Sequence, residues 1–336
     1  MKRCIAAIIS VVMMAAMHHP TTHRTWKDTM AHHIYSANEI YSVDEWATLI
    51  NDPTEGMVGD GNWTCALANG DIAWVTGDTL SGEHNTVRIV ETNQKKLFIG
   101  WAHGTQTIGL LGNTSNYWLG PCISYGYGFL SLATELDPNT NQPIKAVLAV
   151  FDQTGHLNAV LPTPSTGPDV IQWNAGITYA YGQYYVFGQM HLGGEFGSRI
   201  YLARVSSFGD ALHNWQYYSG VHGWSYNPGD AWNIIGPEHG NMDTAFNAIH
   251  AANGQWVLPG KKGGKWGDMI GAFTADYISG PYTWTPIQPS TPDEYLVSVH
   301  EDIPVNDPVG PAGLFGGIKH LMTVNREGQP AAFLAI

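Results

Sequence analysis

Three stretches of this chain repeat one pattern: a turn glycine, a short apolar run, then a second glycine. They are NGDIAWVTG at 69–77, YGQYYVFG at 181–188 and NGQWVLPG at 253–260. Looser copies are YGYGFLSLA at 125–133 and GGIKHLMTVN at 316–325. With Gly70, Gly128, Gly182, Gly254 and Gly317 as markers, the spacings are 58, 54, 72 and 63 residues. Five units of this size point to a repeat architecture in which each small meander buries its faces against its neighbours. The runs between Gly, Asn, Pro and Asp clusters read as strands, and the 39 glycines and 19 prolines supply the turns. The predicted fold is therefore all-β, a five-bladed β-propeller with four strands per blade; two packed β-sandwiches are the alternative. The blades are placed at 57–105, 119–163, 168–220, 232–290 and 294–336. An N-terminal strand that closes the ring with the last blade would remove the open edge that invites aggregation.

The propeller occupies 56–336 in this reading. Residues 1–17 read as a secretory signal: Lys2 and Arg3, then the uncharged run CIAAIISVVMMAAM, too short to span a bilayer. Residues 18–55 form a polar leader, with His18-His19 and His32-His33, followed by a short helix near 43–50 that Ser42 caps and Glu45 supports. The expectation is an exported protein, extracellular or in the cell envelope, monomeric and without membrane insertion. Export leaves Cys65 and Cys122, which an oxidising compartment permits to pair. No spacing of Cys and His suggests zinc, no cofactor motif is present, and a structural cation at the propeller axis is allowed for.

Charge narrows the partners. Lys and Arg total 15 against 28 acids, a formal net charge of −13, and no basic stripe is visible. Nucleic-acid binding, which needs clustered cations, is excluded. The 13 Trp and 16 Tyr instead suit sugars, whose flat apolar faces stack on rings while their hydroxyls seek neutral polar groups. Trp63, Trp118, Trp173, Trp224 and Trp232 are the stacking candidates, with Asn113 and Asn116 beside Trp118 in NTSNYWLG. Asn62-Trp63-Thr64 and Asn113-Thr114-Ser115 also match the glycosylation acceptor pattern.

The stretch GDGNWTCALANGDIAWVTGDTL at 59–80 reads as a hairpin with an acid near each end. A three-residue turn at Asn69-Gly70-Asp71 sets Ala68 opposite Ile72 and makes Asp60 and Asp78 diagonal neighbours on one face. A two-residue turn would part them onto opposite faces. Two converging carboxylates are what glycoside hydrolysis requires, one protonated donor and one ionised base or nucleophile. The competing reading is that each Asp caps its own turn. Further on, PEHGNMDTAFNAIH at 237–250 offers Asp243 just ahead of a strand, as Asp60 is, with Glu238 the competitor and His239 beside it. His103, Glu195, Arg199, His300, Glu301 and Asp302 lie in other loops.

Taken together, the acid at the mouth of the first strand, the GDT at 77–79, NTSNYW after the first blade, YLARV followed by WQYY, and GPYTW at 280–284 resemble a secreted family of five-bladed β-propellers. That family was formerly classed as a domain of unknown function and includes endo-D-arabinanases. The resemblance covers most of 57–336. It implies Asp60 and Asp78 in the pocket; the family pattern has Glu near the fourth-blade strand start, where this chain has Asp243. The wider group of arabinanase- and xylosidase-like propellers likewise places carboxylates where inner strands begin. The expected function is cleavage of furanosidic linkages in an arabinan-like polysaccharide. Asp60, Asp78 and Asp243 would be catalytic, and Trp63, His103, Asn116, Trp118, Trp173 and His239 would bind substrate. A non-catalytic glycan-binding propeller and a purely structural surface protein are the other readings. The sugar, endo or exo action and the stereochemistry stay open.

Overall fold

The computed structural model describes residues 61–77, 85–91, 98–100, 116–140, 142–164, 171–191, 197–208, 214–236, 242, 246–251, 253–304, 320–326 and 329–335. The predicted signal, leader and short helix lie outside them. Among the described residues there is no α-helix, and no helix is long and apolar enough to cross a membrane.

Among the described residues the strands form five sheets, each built on an antiparallel meander in chain order. The first holds β1 (Asn62–Ala66), β2 (Ile72–Thr76), β3 (Thr86–Glu91) and β4 (Phe98–Gly100). The second holds β5 (Asn116–Tyr125), β6 (Gly128–Leu136), β7 (Pro143–Phe151) and β8 (Leu157–Pro162). The third runs β9 (Gln172–Ala180), β10 (Gln183–His191), β11 (Ser198–Val205), β12 (Gln216–Tyr218) and β13 (Trp224–Ser225). On it, β14 (Asn233–Ile235) pairs with β11, and β15 (Phe246–Asn247) lies parallel to β9. The fourth holds β16 (Ile249–His250), β17 (Trp256–Lys262), β18 (Met269–Ala275) and β19 (Thr283–Pro289). The fifth holds β20 (Glu294–Pro304), β21 (His320–Arg326) and β22 (Gln329–Ala335).

Strands such as β2, β6 and β17 are buried on both faces, so their successive side chains serve two cores. On β2, Ala73 and Val75 join Trp63, Cys65 and Val87 against Tyr117, Leu119, Cys122 and Phe129 of the second sheet. On β6, Leu130 and Leu132 turn the other way, towards Trp173, Ile177 and Val186 of the third. Phe187, Ile200 and Leu202 pack on Trp256, Leu258 and Phe273 of the fourth. The alternate residues Val257, Ile270 and Ala272 pack on Val297, Val299 and Met322 of the fifth. The fifth sheet returns to the first: β20 packs on β1. Both Cys65 and Cys122 are buried thiols inside the cluster between sheets one and two.

The turn between β9 and β10 has two residues, since Ala180 pairs with Gln183. Both take positive φ, Tyr181 at 51° and Gly182 at 77°, the mirror-image turn that matches strand twist. Tyr is a poor occupant of the left-handed region and Asn a good one. Tyr181 is also 71% exposed, so its ring contributes little burial. Tyr181→Asn is expected to stabilise the protein by about 0.5 kcal/mol, read as a small rise in the urea midpoint with the slope unchanged.

Candidate functional site

Strands β1, β15 and β20 meet at Thr64 of β1. Its carbonyl accepts from Asn247 Nδ2 of β15 at 3.3 Å, and its hydroxyl bonds His300 Nδ1 of β20 at 3.1 Å. Asn247 is in turn level with Ile177 of β9. Around this point lies a fully buried polar seam between sheets one and five. Trp74 Nε1 donates to Asn62 Oδ1 at 2.9 Å, and Asn62 Nδ2 reaches Asn325 Oδ1 at 3.5 Å. His300 Nε2 bonds the Thr323 hydroxyl at 2.8 Å, and the imidazole stacks on Trp74 with centroids 4.9 Å apart. Burial, helped by the nearby His320, holds the His300 pKa down at about 3, so the ring is neutral. A neutral imidazole has one donor and one acceptor nitrogen, and the two threonine hydroxyls can match either tautomer.

The seam reassigns several residues. Asn62 is wholly buried by its bonds to Trp74 and Asn325, which withdraws it as a glycosylation acceptor. Trp63 and Trp173, expected as sugar platforms, are core residues at 3% and 2% exposure. Trp63 points away from the seam because strand faces alternate, and it fills the cluster between sheets one and two. Trp173 packs on Trp215 and Tyr217 at centroid distances of 5.9 and 5.4 Å. His300 is a buried structural residue that joins β1 to β21 through Thr64 and Thr323. The signal for this was in the sequence: Asn62 and Thr64 alternate with Trp63 and Cys65, and Ser298 and His300 alternate with Val297 and Val299. A period-2 polar stripe on one side of an apolar strand marks a polar interface.

Of the other expected site residues, Trp118 stands on β5 at 36% exposure. Asn116 begins that strand. Asp60, Asp78, His103, His239 and Asp243 lie outside the described residues. The hairpin that carries the first pair is described. Its register is Asn62↔Thr76 to Ala66↔Ile72. Leu67 N–H donates to Asp71 O at 2.7 Å and Gly70 N–H to Leu67 O at 3.0 Å. The turn thus has three residues as expected, but they are Ala68-Asn69-Gly70, one position earlier, and Ile72 faces Ala66 rather than Ala68. The cause is Gly70: its φ of 93° places it at the left-handed position closing the loop. Asn69 accepts from the Asp71 N–H, which fixes the start of β2. For the cation allowed for at the axis, no set of three or more His, Cys, Asp or Glu side chains comes together among the described residues. The side-chain oxygens buried among the described residues without a hydrogen-bond partner, Thr76 Oγ1, Tyr117 Oη, Asn247 Oδ1 and Ser298 Oγ, are all neutral.

Comparison with solved structures places this arrangement among known folds. A thermostable family-43 glycoside hydrolase matches 82% of the chain over 88% of its own, at 14% identity and a TM-score of 0.50. The endo-arabinase from Bacteroides thetaiotaomicron matches 84% over 96%, at 11% identity and 0.51. An exo-β-1,3-galactanase from Phanerochaete chrysosporium matches 83% over 60%, at 9% identity and 0.51. At such identities the likeness is one of fold. None of the curated proteins matches the chain. A profile described as a domain of unknown function, DUF5005, matches residues 110–306, more than half of the sequence. The chain belongs to the DUF5005 family.

Proposed function

We propose that this chain is an exported glycoside hydrolase on a five-bladed β-propeller, acting within an arabinan-like polysaccharide on furanosidic linkages. The observation that carries the reading is the shared level of the inner strands. Thr64 and Asn247 are joined by a hydrogen bond, and Asp60 and Asp243 each stand four residues ahead of them in the sequence. A meander of four antiparallel strands returns the chain to the end where it began. Successive inner strands then run the same way, as β9 and β15 do. Positions 60 and 243 would therefore open onto one end of the ring.

The hairpin register adds the third acid. Carried two residues past Asn62↔Thr76, it would set position 60 directly opposite position 78, closer than the diagonal read from sequence. Two carboxyls at that spacing repel, which raises the pKa of one of them. In this proposal Asp60 and Asp78 form the acid–base pair, and Asp243 faces them across the funnel and orients substrate. Trp118 and Asn116 at the mouth of β5 receive a sugar. The fold shared with a family-43 glycoside hydrolase and an endo-arabinase supports the reaction class.

The deciding measurement is reducing-end release from arabinan by the purified chain. Progressive release of oligosaccharides is expected. Binding of arabinan with no release over long incubation would instead make the protein a glycan-binding propeller.

A further inference from the structure

Sheet three carries an excursion that neither ring closure nor the proposed hydrolysis uses. The outer edge of β11 is shared: Ala203 and Arg204 pair with β12, whereas Ile200 and Tyr201 pair with β14. Between those two strands the chain makes an excursion over 219–232, in which β13 alone pairs back onto β12. Trp224 roots the excursion. The Arg204 guanidinium lies 4.2 Å over its ring, and Tyr218 and Tyr185 meet it edge-on at 5.7 and 6.0 Å.

Trp232 is held differently. Its backbone N–H donates to Tyr218 O at 2.7 Å. Its indole lies against Gly220, where an added Cβ would come 3.3 Å from Cγ. Yet Trp232 is 62% exposed. One face is thus backed by bare main chain and the other is open. Two residues earlier, the Asp230 carboxylate accepts from the Ser225 hydroxyl at 2.6 Å and from Asn227 Nδ2 at 3.0 Å. Asn227 Oδ1 is itself fixed by the Gly229 N–H at 3.1 Å. A carboxylate has about four acceptor positions. Two are spent on orienting it, and the others face solvent, since Asp230 is exposed.

We infer that this excursion is a second glycan-binding site, separate from the funnel, that takes a stretch of an uncharged polysaccharide. Trp232 is the stacking platform and Asp230 the acceptor of sugar hydroxyls, with Tyr226 exposed beside them. The chemistry selects this ligand. An open indole face matches the C–H face of a sugar ring, and an oriented carboxylate suits neutral hydroxyl donors. His222 is the only basic side chain within 219–232, and the whole chain carries −13, so an acidic polymer is disfavoured. A protein partner would need about 800 Å² per side, whereas one Trp and one Tyr offer about 150–250 Å² each. The site sits three ladders out from β9, roughly 14 Å at the usual strand spacing. The inference rests on the hydrolase reading only for the choice of probe.

The test uses the full chain in native affinity gels containing debranched arabinan or xylan, beside turnover of a short arabino-oligosaccharide. Trp232→Ala is expected to weaken retardation by at least one polymer about tenfold. Trp232→Phe should stay within about threefold of wild type, Asp230→Ala should also weaken it, and oligosaccharide turnover should not change. If Trp232→Ala does not fold by circular dichroism, Asp230→Ala decides. The inference is overturned if neither polymer retards the wild type, if both alanine variants keep wild-type retardation, or if oligosaccharide turnover falls in step with binding. Trp232-dependent retardation in a protein that releases no sugar would uphold this site and refute the hydrolase reading alone.

Discussion

Asp60→Asn is expected to lower reducing-end release from arabinan about a hundred- to ten-thousandfold, with the thermal midpoint little changed. General acid–base catalysis by a positioned carboxyl contributes about 10²–10⁴-fold, and Asn keeps the shape while removing the titrating proton. Asp78→Asn tests the register more sharply. If positions 60 and 78 are directly opposed, each carboxylate raises the pKa of the other. Replacing Asp78 by a neutral amide then lets the Asp60 pKa fall, and the limb of the pH–rate profile that Asp60 governs moves to lower pH. Asp243→Asn should lose activity without that shift. The measurement is kcat/KM against pH for the three variants. Full activity in both Asp60→Asn and Asp78→Asn would remove the pair from the mechanism.

The second large effect lies in the seam that joins the last sheet to the first. His300→Ala is expected to destabilise the fold by about 3–5 kcal/mol, visible as a lower urea midpoint. The change leaves the Thr64 and Thr323 hydroxyls facing a buried gap and removes the ring stacked on Trp74. The same residue makes stability depend on pH. An unfolded histidine titrates near 6.5, whereas burial and His320 hold the folded one at about 3. Between those values the unfolded chain binds a proton that the folded chain refuses. The contribution is therefore whole above pH 6.5 and declines as pH falls, by about 1.4 kcal/mol per unit. His300→Gln, which cannot titrate, should show a shallower loss than wild type between pH 6 and 4. Equal slopes would mean that His300 is not the group responsible.

The repeat was legible because it is local. The glycine-marked strands read from sequence are β2, β6, β10, β17 and β21, the second strand of each sheet. Turn chemistry and two-residue alternation are properties of a few adjacent residues, and they survive in a single sequence. The hairpin was also legible to within one residue. Its even parity was read correctly, but the position of Gly70 within the loop moved the pairing.

The site was less legible, for a different reason. A Trp on a strand looks the same whether it faces a core or a funnel. The packing of sheet one on sheet two buried Trp63, and Leu130, Leu132, Trp215 and Tyr217 together buried Trp173. Trp232 was visible as one aromatic among several; its open face depends on Gly220, a neighbour brought against it by the fold. His300 read as a loop histidine and is instead clamped between residues 236 and 23 positions away. The sequence by itself determined the repeating glycine-marked strands and the all-β class, since each is set by contacts between near neighbours. Tertiary structure alone decided which face of each strand meets another sheet, because burial depends on residues that the chain supplies from far along its length.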